Sequence, residues 1–362
     1  MSEKKWKKTC LGAVLLIGIH AVVVGANDRA AVITEAGTVS IPRFSLPMSS
    51  YASDAAGPML RGILTGPQMG ITEKIANLRA HYDAINTARA ERMKDMYPVT
   101  IEQDQIAGVR IQTVEPAGGP AREHQGKVLI NLHGGAFMWG AGSGELVEAI
   151  PIAAQSGMRV ITVDYRMAPE HVYPAASEDV FAVYNALLAD YEPKNIGIYG
   201  CSAGGILTAQ VTAWIIEHGA RTPGAIGTFC GTGVDYAGDS SQLDPVFNGG
   251  TPVSKGGTAL TMTRIPYFSK GSEGSRGVVP GNFPDLLEKF PPTLLLAGSR
   301  DFAASSLTVM HRRLAAVGVP SQLYLFDGLW HAFFMDAELS ESQEAYRLIA
   351  SFFTENLGKS ER

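Results

Sequence analysis

From about residue 99 onward, short apolar runs alternate with stretches of helical periodicity, and this alternation constrains the fold more than any other feature of the chain. Runs at 109–114, 128–132, 160–163, 196–199, 225–230, 293–297 and 322–326 have the length and apolar content of buried strands. Between and after them, 149–156, 176–189, 206–218, 305–316 and 342–354 repeat apolar residues at helical spacing. In the second of these, Val180, Val183, Tyr184 and Leu187 fall on one face. Strands that are apolar throughout need cover on both faces, which crossover helices supply. The pattern therefore predicts an α/β fold with a mainly parallel sheet flanked by helices.

Two regions break the rhythm. Residues 27–70 are rich in Gly, Pro and Ser and read as an irregular arm. A helix is expected over 72–96, with Ile75, Leu78, Tyr82, Ile85, Met93 and Met96 at helical spacing, Thr72 as N-cap and Pro98 as its stop. Residues 235–290 are again dominated by Gly, Ser and Pro, with only 258–262 and 283–289 expected to be ordered. An insertion over one end of the sheet, a lid, accounts for them. The expected organisation is thus an arm with cap helices over 27–98, then a main domain over 99–362 with a cap insertion at about 235–290.

The first 26 residues have a different character. Lys4, Lys5, Lys7 and Lys8 precede an apolar run over 11–26 that ends in Val24-Gly25-Ala26. A basic segment, a short apolar segment and small residues at its end predict an export signal cleaved after Ala26. Sixteen residues fall short of the roughly 20 that span a bilayer. Cleavage would take four lysines and Glu3 from totals of 30 basic and 35 acidic residues, leaving 26 against 34. With no basic run remaining, nucleic acid and anionic membrane surfaces are poor partners. Cys201 and Cys230 would be the remaining cysteines; a chain of this size needs no disulfide, and buried free thiols are expected.

The sharpest local pattern is Gly200-Cys201-Ser202-Ala203-Gly204, followed by Gly205. It fits G-x-S-x-G and lies between an expected strand and an expected helix, so Ser202 would sit on a tight strand-to-helix turn beside a positive helix end. Serine is a weak nucleophile without a base and an acid to orient it. Three histidines follow it. His218 ends the helix that Ser202 opens, and His311 lies mid-helix beside Arg312 and Arg313, a solvated setting. His331 lies just past a strand, where loops gather at the carboxyl ends of a parallel sheet. Asp301 follows the strand at 293–297, again at its carboxyl end, whereas Asp327 is only four residues before His331 and Asp336 lies beyond it. The order Ser202, Asp301, His331 is that of a catalytic triad on an α/β-hydrolase sheet. His133-Gly134-Gly135-Ala136, after the strand at 128–132, could supply backbone N–H donors for an oxyanion together with Ala203. No metal-binding or nucleotide-phosphate motif is present, and Gly140-Ala141-Gly142-Ser143-Gly144 resembles a phosphate loop only superficially.

Taken together, His133-Gly134-Gly135-Ala136, Asp164-Tyr165-Arg166-Met167-Ala168-Pro169-Glu170, the turn at 200–205, Asp301 and Trp330-His331-Ala332-Phe333 resemble the bacterial hormone-sensitive-lipase-like esterases over about 125–355. The resemblance implies an α/β-hydrolase core, a cap formed by the N-terminal arm and an insertion, no cofactor, and hydrolysis of short- to medium-chain acyl esters. Carried onto this chain, it makes Ser202 the nucleophile, His331 the base and Asp301 the acid. Gly135, Ala136 and Ala203 become oxyanion donors around the turn at Gly134, and Asp164, Arg166 and Glu170 become scaffold ties. Two positions depart from the family pattern: Ala136 replaces a third glycine, and Cys201 stands where Asp or Glu is usual, removing a hydrogen bond near the turn. Amide hydrolysis on the same triad and non-catalytic ligand binding on the same fold are the other readings.

Overall fold

The computed structural model describes residues 32–40, 45–66, 73–247, 265–268 and 274–359. It divides into two units, Met1–Pro47 and Met48–Arg362. In the first, β1 (Val32–Ile33) and β2 (Val39–Ser40) form a small antiparallel hairpin. The second holds all the remaining elements: α1 (Ala56–Thr65), α2 (Ile75–Met96), β3 (Val99–Ile106), β4 (Val109–Pro116), β5 (Val128–Leu132), α3 (Ser143–Ser156), β6 (Arg159–Val163), α4 (Ala175–Leu187), β7 (Ile196–Cys201), α5 (Ala203–Glu217), β8 (Ala225–Phe229), α6 (Asp239–Phe247), α7 (Pro284–Leu287), β9 (Thr293–Gly298), α8 (Ala304–Ala316), β10 (Ser321–Phe326) and α9 (Ser340–Asn356).

The strands of this unit form one sheet in the order β10-β9-β8-β7-β5-β6-β4-β3. From β6 to β10 all pairings are parallel, while β4 runs antiparallel to β6 and β3 antiparallel to β4. Every residue of β5, β7, β8 and β9 is buried, as parallel strands covered on both faces require. One face packs on α4, α5 and α8 through residues such as Val180, Ile206 and Leu307. The other packs on α3 and α9 through Ile150, Tyr346 and Phe353. After β5 the chain crosses to β6 on one side and then returns to β7 on the other. The carboxyl ends of β5 and β7 therefore flank the switch point, where open α/β sheets form their ligand crevice. His133 follows β5 and Ser202 follows β7.

The expected α/β architecture is found, with local differences. The arm contains α1, and β3 precedes the first expected strand as the antiparallel edge. Helix α3 starts at Ser143 instead of residue 149, because the Glu145 carboxylate accepts the Gly142 N–H (2.8 Å) and caps a turn that reads as loop in sequence. That buried acid at the start of α3 would repel a phosphate from residues 140–144. Helix α5 starts at Ala203 instead of 206, taking Gly204 and Gly205 into its first turn. Within the insertion, α6 was not expected, whereas α7 matches the ordered stretch at 283–289. Thr72 and residues 258–262 lie outside the described residues, and the residue preceding α2 is Lys74. His311 is half-buried rather than solvated, hydrogen-bonded to the Ser321 hydroxyl at 2.9 Å. Among the described residues no helix is long and apolar enough to cross a membrane.

Candidate active site

Ser202 has φ 57° and ψ −119°, a left-handed conformation that lifts its side chain out of the end of β7 just before α5 begins. The turn closes only because its flanks lack Cβ atoms. A Cβ at Gly200 would lie 2.1 Å from the Leu132 carbonyl oxygen, and one at Gly204 only 1.7 Å from the same atom. The elbow therefore presses directly on the end of β5, and the small residues of the motif follow from that approach.

The three residues singled out from sequence meet here. His331 Nε2 lies 2.9 Å from Ser202 Oγ, and His331 Nδ1 lies 2.9 Å from Asp301 Oδ1. Asp301 is fully buried, and its Oδ1 also accepts the Ala303 N–H at 2.8 Å. Its Oδ2 is buried with no hydrogen-bond partner among the described residues. Phe302 stacks on the His331 ring with centroids 4.2 Å apart, and Tyr236 stands edge-on to Phe302 at 4.8 Å. Burial pushes the Tyr236 phenol well above its ordinary value, so a neutral hydroxyl faces the Ser202 side chain. A carboxylate holding Nδ1–H leaves Nε2 free to accept the serine proton, and the hydroxyl oxygen can then attack an electrophilic carbon.

On the other side of Ser202, Gly135 (φ 114°), Ala136 (φ 52°) and Phe137 (φ 58°) run in the left-handed region. Gly135 is required there, since a Cβ would lie 2.0 Å from the Trp139 carbonyl oxygen. Gly135, Ala136 and Ala203 line the cleft with Ser202, and Ala203 opens α5, where amide N–H groups have no partner within the helix. Ala136 adopts the left-handed turn despite replacing a glycine. Gly134 corrects one expectation: its N–H donates to Glu148 Oε1 at 2.9 Å and is not available to an oxyanion. Its carbonyl meanwhile lies 2.6 Å from Nδ1 of His133, which burial holds neutral, and His133 stacks on Tyr165 at 4.2 Å.

The scaffold residues serve as expected. Arg110 pairs with Asp164 at 2.5 Å, Arg166 with Asp179 at 2.9 Å, and Glu170 with Arg79 of α2 at 2.7 Å. Cys201 does not leave the elbow without a tie, because its own N–H donates to Glu148 Oε2 at 3.0 Å. Both cysteines are free and buried, and burial pushes the Cys230 thiol up to about 11. Cys230, Asp301 and His331 place ligand atoms within 4.8 Å of one another, but a thiol held protonated and a paired imidazole are poor metal ligands.

The cleft over Ser202 measures about 490 Å3. Its walls are Tyr82, Asn86 and Arg89 of α2, Met138 and Trp139 of the loop after β5, Ile206 of α5, Ile265 and Pro266 of the insertion, and Phe302 and Met335. Tyr82 stacks on Trp139 with centroids 4.5 Å apart. Glu148, Tyr236 and Phe302 were not singled out from sequence; nothing in their local spacing separates them from ordinary helix and loop residues.

A mostly parallel sheet, a strained serine turn at its switch point and an imidazole–carboxylate pair behind that serine define an α/β-hydrolase. Comparison with known proteins agrees, as residues 129–335 match the family described as alpha/beta hydrolase fold. The chain belongs to that family. An esterase of Acinetobacter venetianus is 28% identical over 258 residues, covering 71% of this chain and 82% of its own length. Esterase LipU of Mycobacterium tuberculosis is 30% identical over 258 residues, covering 69% and 83%. Among solved structures, esterase E25 matches with a TM-score of 0.75 at 28% identity, covering 88% of this chain and 98% of its own. An esterase from the bacterial hormone-sensitive lipase family shares the fold, with a TM-score of 0.71 at 23% identity over 86% of this chain and all (100%) of its own. The esterase relatives at 28–30% identity agree with the esterase resemblance drawn from the motifs.

Proposed function

We propose that this α/β-hydrolase works through an acyl-enzyme on Ser202, with His331 as general base and acid, Asp301 as its orienting carboxylate, and Gly135, Ala136 and Ala203 as oxyanion donors. The chain is a carboxylic-ester hydrolase acting on small-molecule esters, as its esterase relatives indicate. Ser202 Oγ attacks the ester carbonyl while its proton passes to His331 Nε2. The tetrahedral oxyanion collapses, the alcohol leaves with that proton, and water repeats the sequence to release the acid. The observation that carries this reading is the relay Ser202–His331–Asp301, with 2.9 Å at each step.

The size and apolar walls of the cleft support short- to medium-chain acyl groups as substrates. Helix α2 and the described part of the insertion line it and act as the cap. We further propose that the chain is exported, with the basic and apolar segment before residue 27 as its removable signal. Ser202→Ala is expected to abolish p-nitrophenyl acetate hydrolysis and labelling by a fluorophosphonate while the melting temperature is retained. Undiminished turnover by that variant, or a wild-type protein that takes no label, would overturn the mechanism.

A further inference from the structure

Glu148 lies on α3, lines the cleft beside Ser202 without being a member of the relay, and is 2% exposed. Its two carboxylate oxygens reach two different chain segments. Oε1 accepts the Gly134 N–H at 2.9 Å, and Oε2 accepts the Cys201 N–H at 3.0 Å and the Asn131 amide at 3.3 Å. Each backbone donor is the residue immediately before a working group: Gly134 before the oxyanion amides of Gly135 and Ala136, Cys201 before Ser202. No ion pair to Glu148 exists among the described residues. A buried carboxylate without a cation opposes folding, and burial pushes this one up to about 8 despite its three donors. An apolar side chain would cost the fold less, so a reason for the acid is to be sought in the site.

We propose that Glu148 is a positioning residue for ester hydrolysis: its carboxylate clamps the oxyanion loop and the serine elbow in register through Gly134 N–H and Cys201 N–H. Attack requires the serine oxygen and the oxyanion donors to hold one spacing, yet they belong to loops after different strands, β5 and β7. Strand pairing fixes those loops only as far as Leu132↔Gly200. Beyond that pair the clamp ties the two segments together, with one acceptor oxygen for each. A single neutral acceptor cannot replace it. In Glu148→Gln one of the two N–H groups faces an amide NH2, so either the loop or the elbow is released.

The inference rests on the proposed function, and its test separates the two. Wild type, Glu148→Gln and Glu148→Asp are compared for kcat and KM on p-nitrophenyl acetate at about pH 9, above the value of about 8 to which burial pushes Glu148, so that the wild-type carboxylate is charged. They are also compared for affinity toward a boronic acid, which forms a tetrahedral adduct on the serine, and toward butyrate, a product-like ligand. Glu148→Gln is expected to lower kcat by about tenfold or more with KM little changed, since the loss falls on the transition state. Boronate affinity should fall by a similar factor while butyrate affinity holds. Glu148→Asp, with both oxygens but a shorter reach, should recover part of the loss. Unchanged kcat and boronate affinity in Glu148→Gln would overturn the proposal, as would equal losses of boronate and butyrate binding, which mark general damage to the cleft. A wild-type protein without fluorophosphonate labelling would instead overturn the triad reading itself.

Discussion

Among the described residues, the non-glycine residues at positive φ are Ala107, Ala136, Phe137, Ser202, Cys230 and Ala332. Ala107 turns the β3–β4 hairpin; Ala136, Phe137, Ser202 and Ala332 are each at, or next in sequence to, a residue that lines the cleft or carries the relay, and Cys230 places its sulfur within 4.8 Å of ligand atoms of Asp301 and His331. Left-handed backbone at residues with a Cβ is costly, so the fold concentrates its strain where the chemistry is placed. Asp301 adds a second local cost, a fully buried carboxylate whose Oδ2 has no partner among the described residues. Asp301→Asn is therefore expected to separate activity from stability. The amide cannot hold the His331 Nδ1–H in the working tautomer, and kcat should fall by about 10⁴, as it does when such an acid is neutralised elsewhere. The melting temperature should stay level or rise, because a buried charge is removed. Steady-state kinetics and thermal unfolding of the same preparation check both halves. A large loss of stability would show that Asp301 contributes mainly to the fold.

At the scale of elements, α2 joins the cleft to the core. It presents Tyr82, Asn86 and Arg89 to the cleft while Leu78, Ala90 and Met93 are buried. Besides the exposed pair Arg92–Glu338 at 2.7 Å, two ion pairs hold it, Arg79–Glu170 at 2.7 Å and Arg89–Asp336 at 3.0 Å. The first is half-exposed and contributes little by itself. The second is not, with exposures of 21% and 9%, and burial pushes the Asp336 carboxyl up against the pull of Arg89. Arg89→Met removes that pull and leaves the acid buried beside an apolar chain. The expected cost is about 1–3 kcal/mol, below the full penalty of breaking a buried pair because Arg89 retains some solvent. An acid whose folded pKa is raised stabilises the fold below its ordinary pKa and loses that contribution as pH rises through the folded value. The variant should therefore lose more stability at pH 8 than at pH 5, measured as melting temperature against wild type. The sheet was legible in sequence because uninterrupted burial writes itself as uninterrupted apolar runs; β5 falls on residues 128–132 as expected. Helix α3 was only half legible because its first turns follow the glycine-rich 140–144 and carry Glu145 and Glu148, charged residues that the fold buries. Helix α6 was missed for a related reason: Asp239-Ser240-Ser241-Gln242 has the composition of a loop.

Over the whole molecule, the relay was legible and the clamp was not. Chain order and position at strand ends suffice to find Ser202, Asp301 and His331, since a parallel sheet brings the carboxyl ends of its strands together. Glu148 acts across the packing of α3 on the sheet, a contact that no local spacing records. Its effect reaches beyond the site, because a titrating group linked to folding acts on the stability of the entire cooperative unit. Its folded value is raised from 4.5 to about 8. The protonated form is thus favoured by folding, and its contribution is complete below 4.5 and lost as pH climbs through about 8. Catalysis runs in the opposite direction, because the imidazole must be unprotonated to take the serine proton and the clamp works through its charged oxygens. The pH of greatest stability should accordingly lie below the pH of greatest activity. Glu148→Gln isolates this term from the other acids. Its melting temperature relative to wild type should climb by roughly a few degrees between pH 4.5 and pH 8, even as its kcat stays low. A difference that is flat over that range would mean that Glu148 is already charged at pH 4.5, held there by its three donors, and that the clamp does not oppose folding.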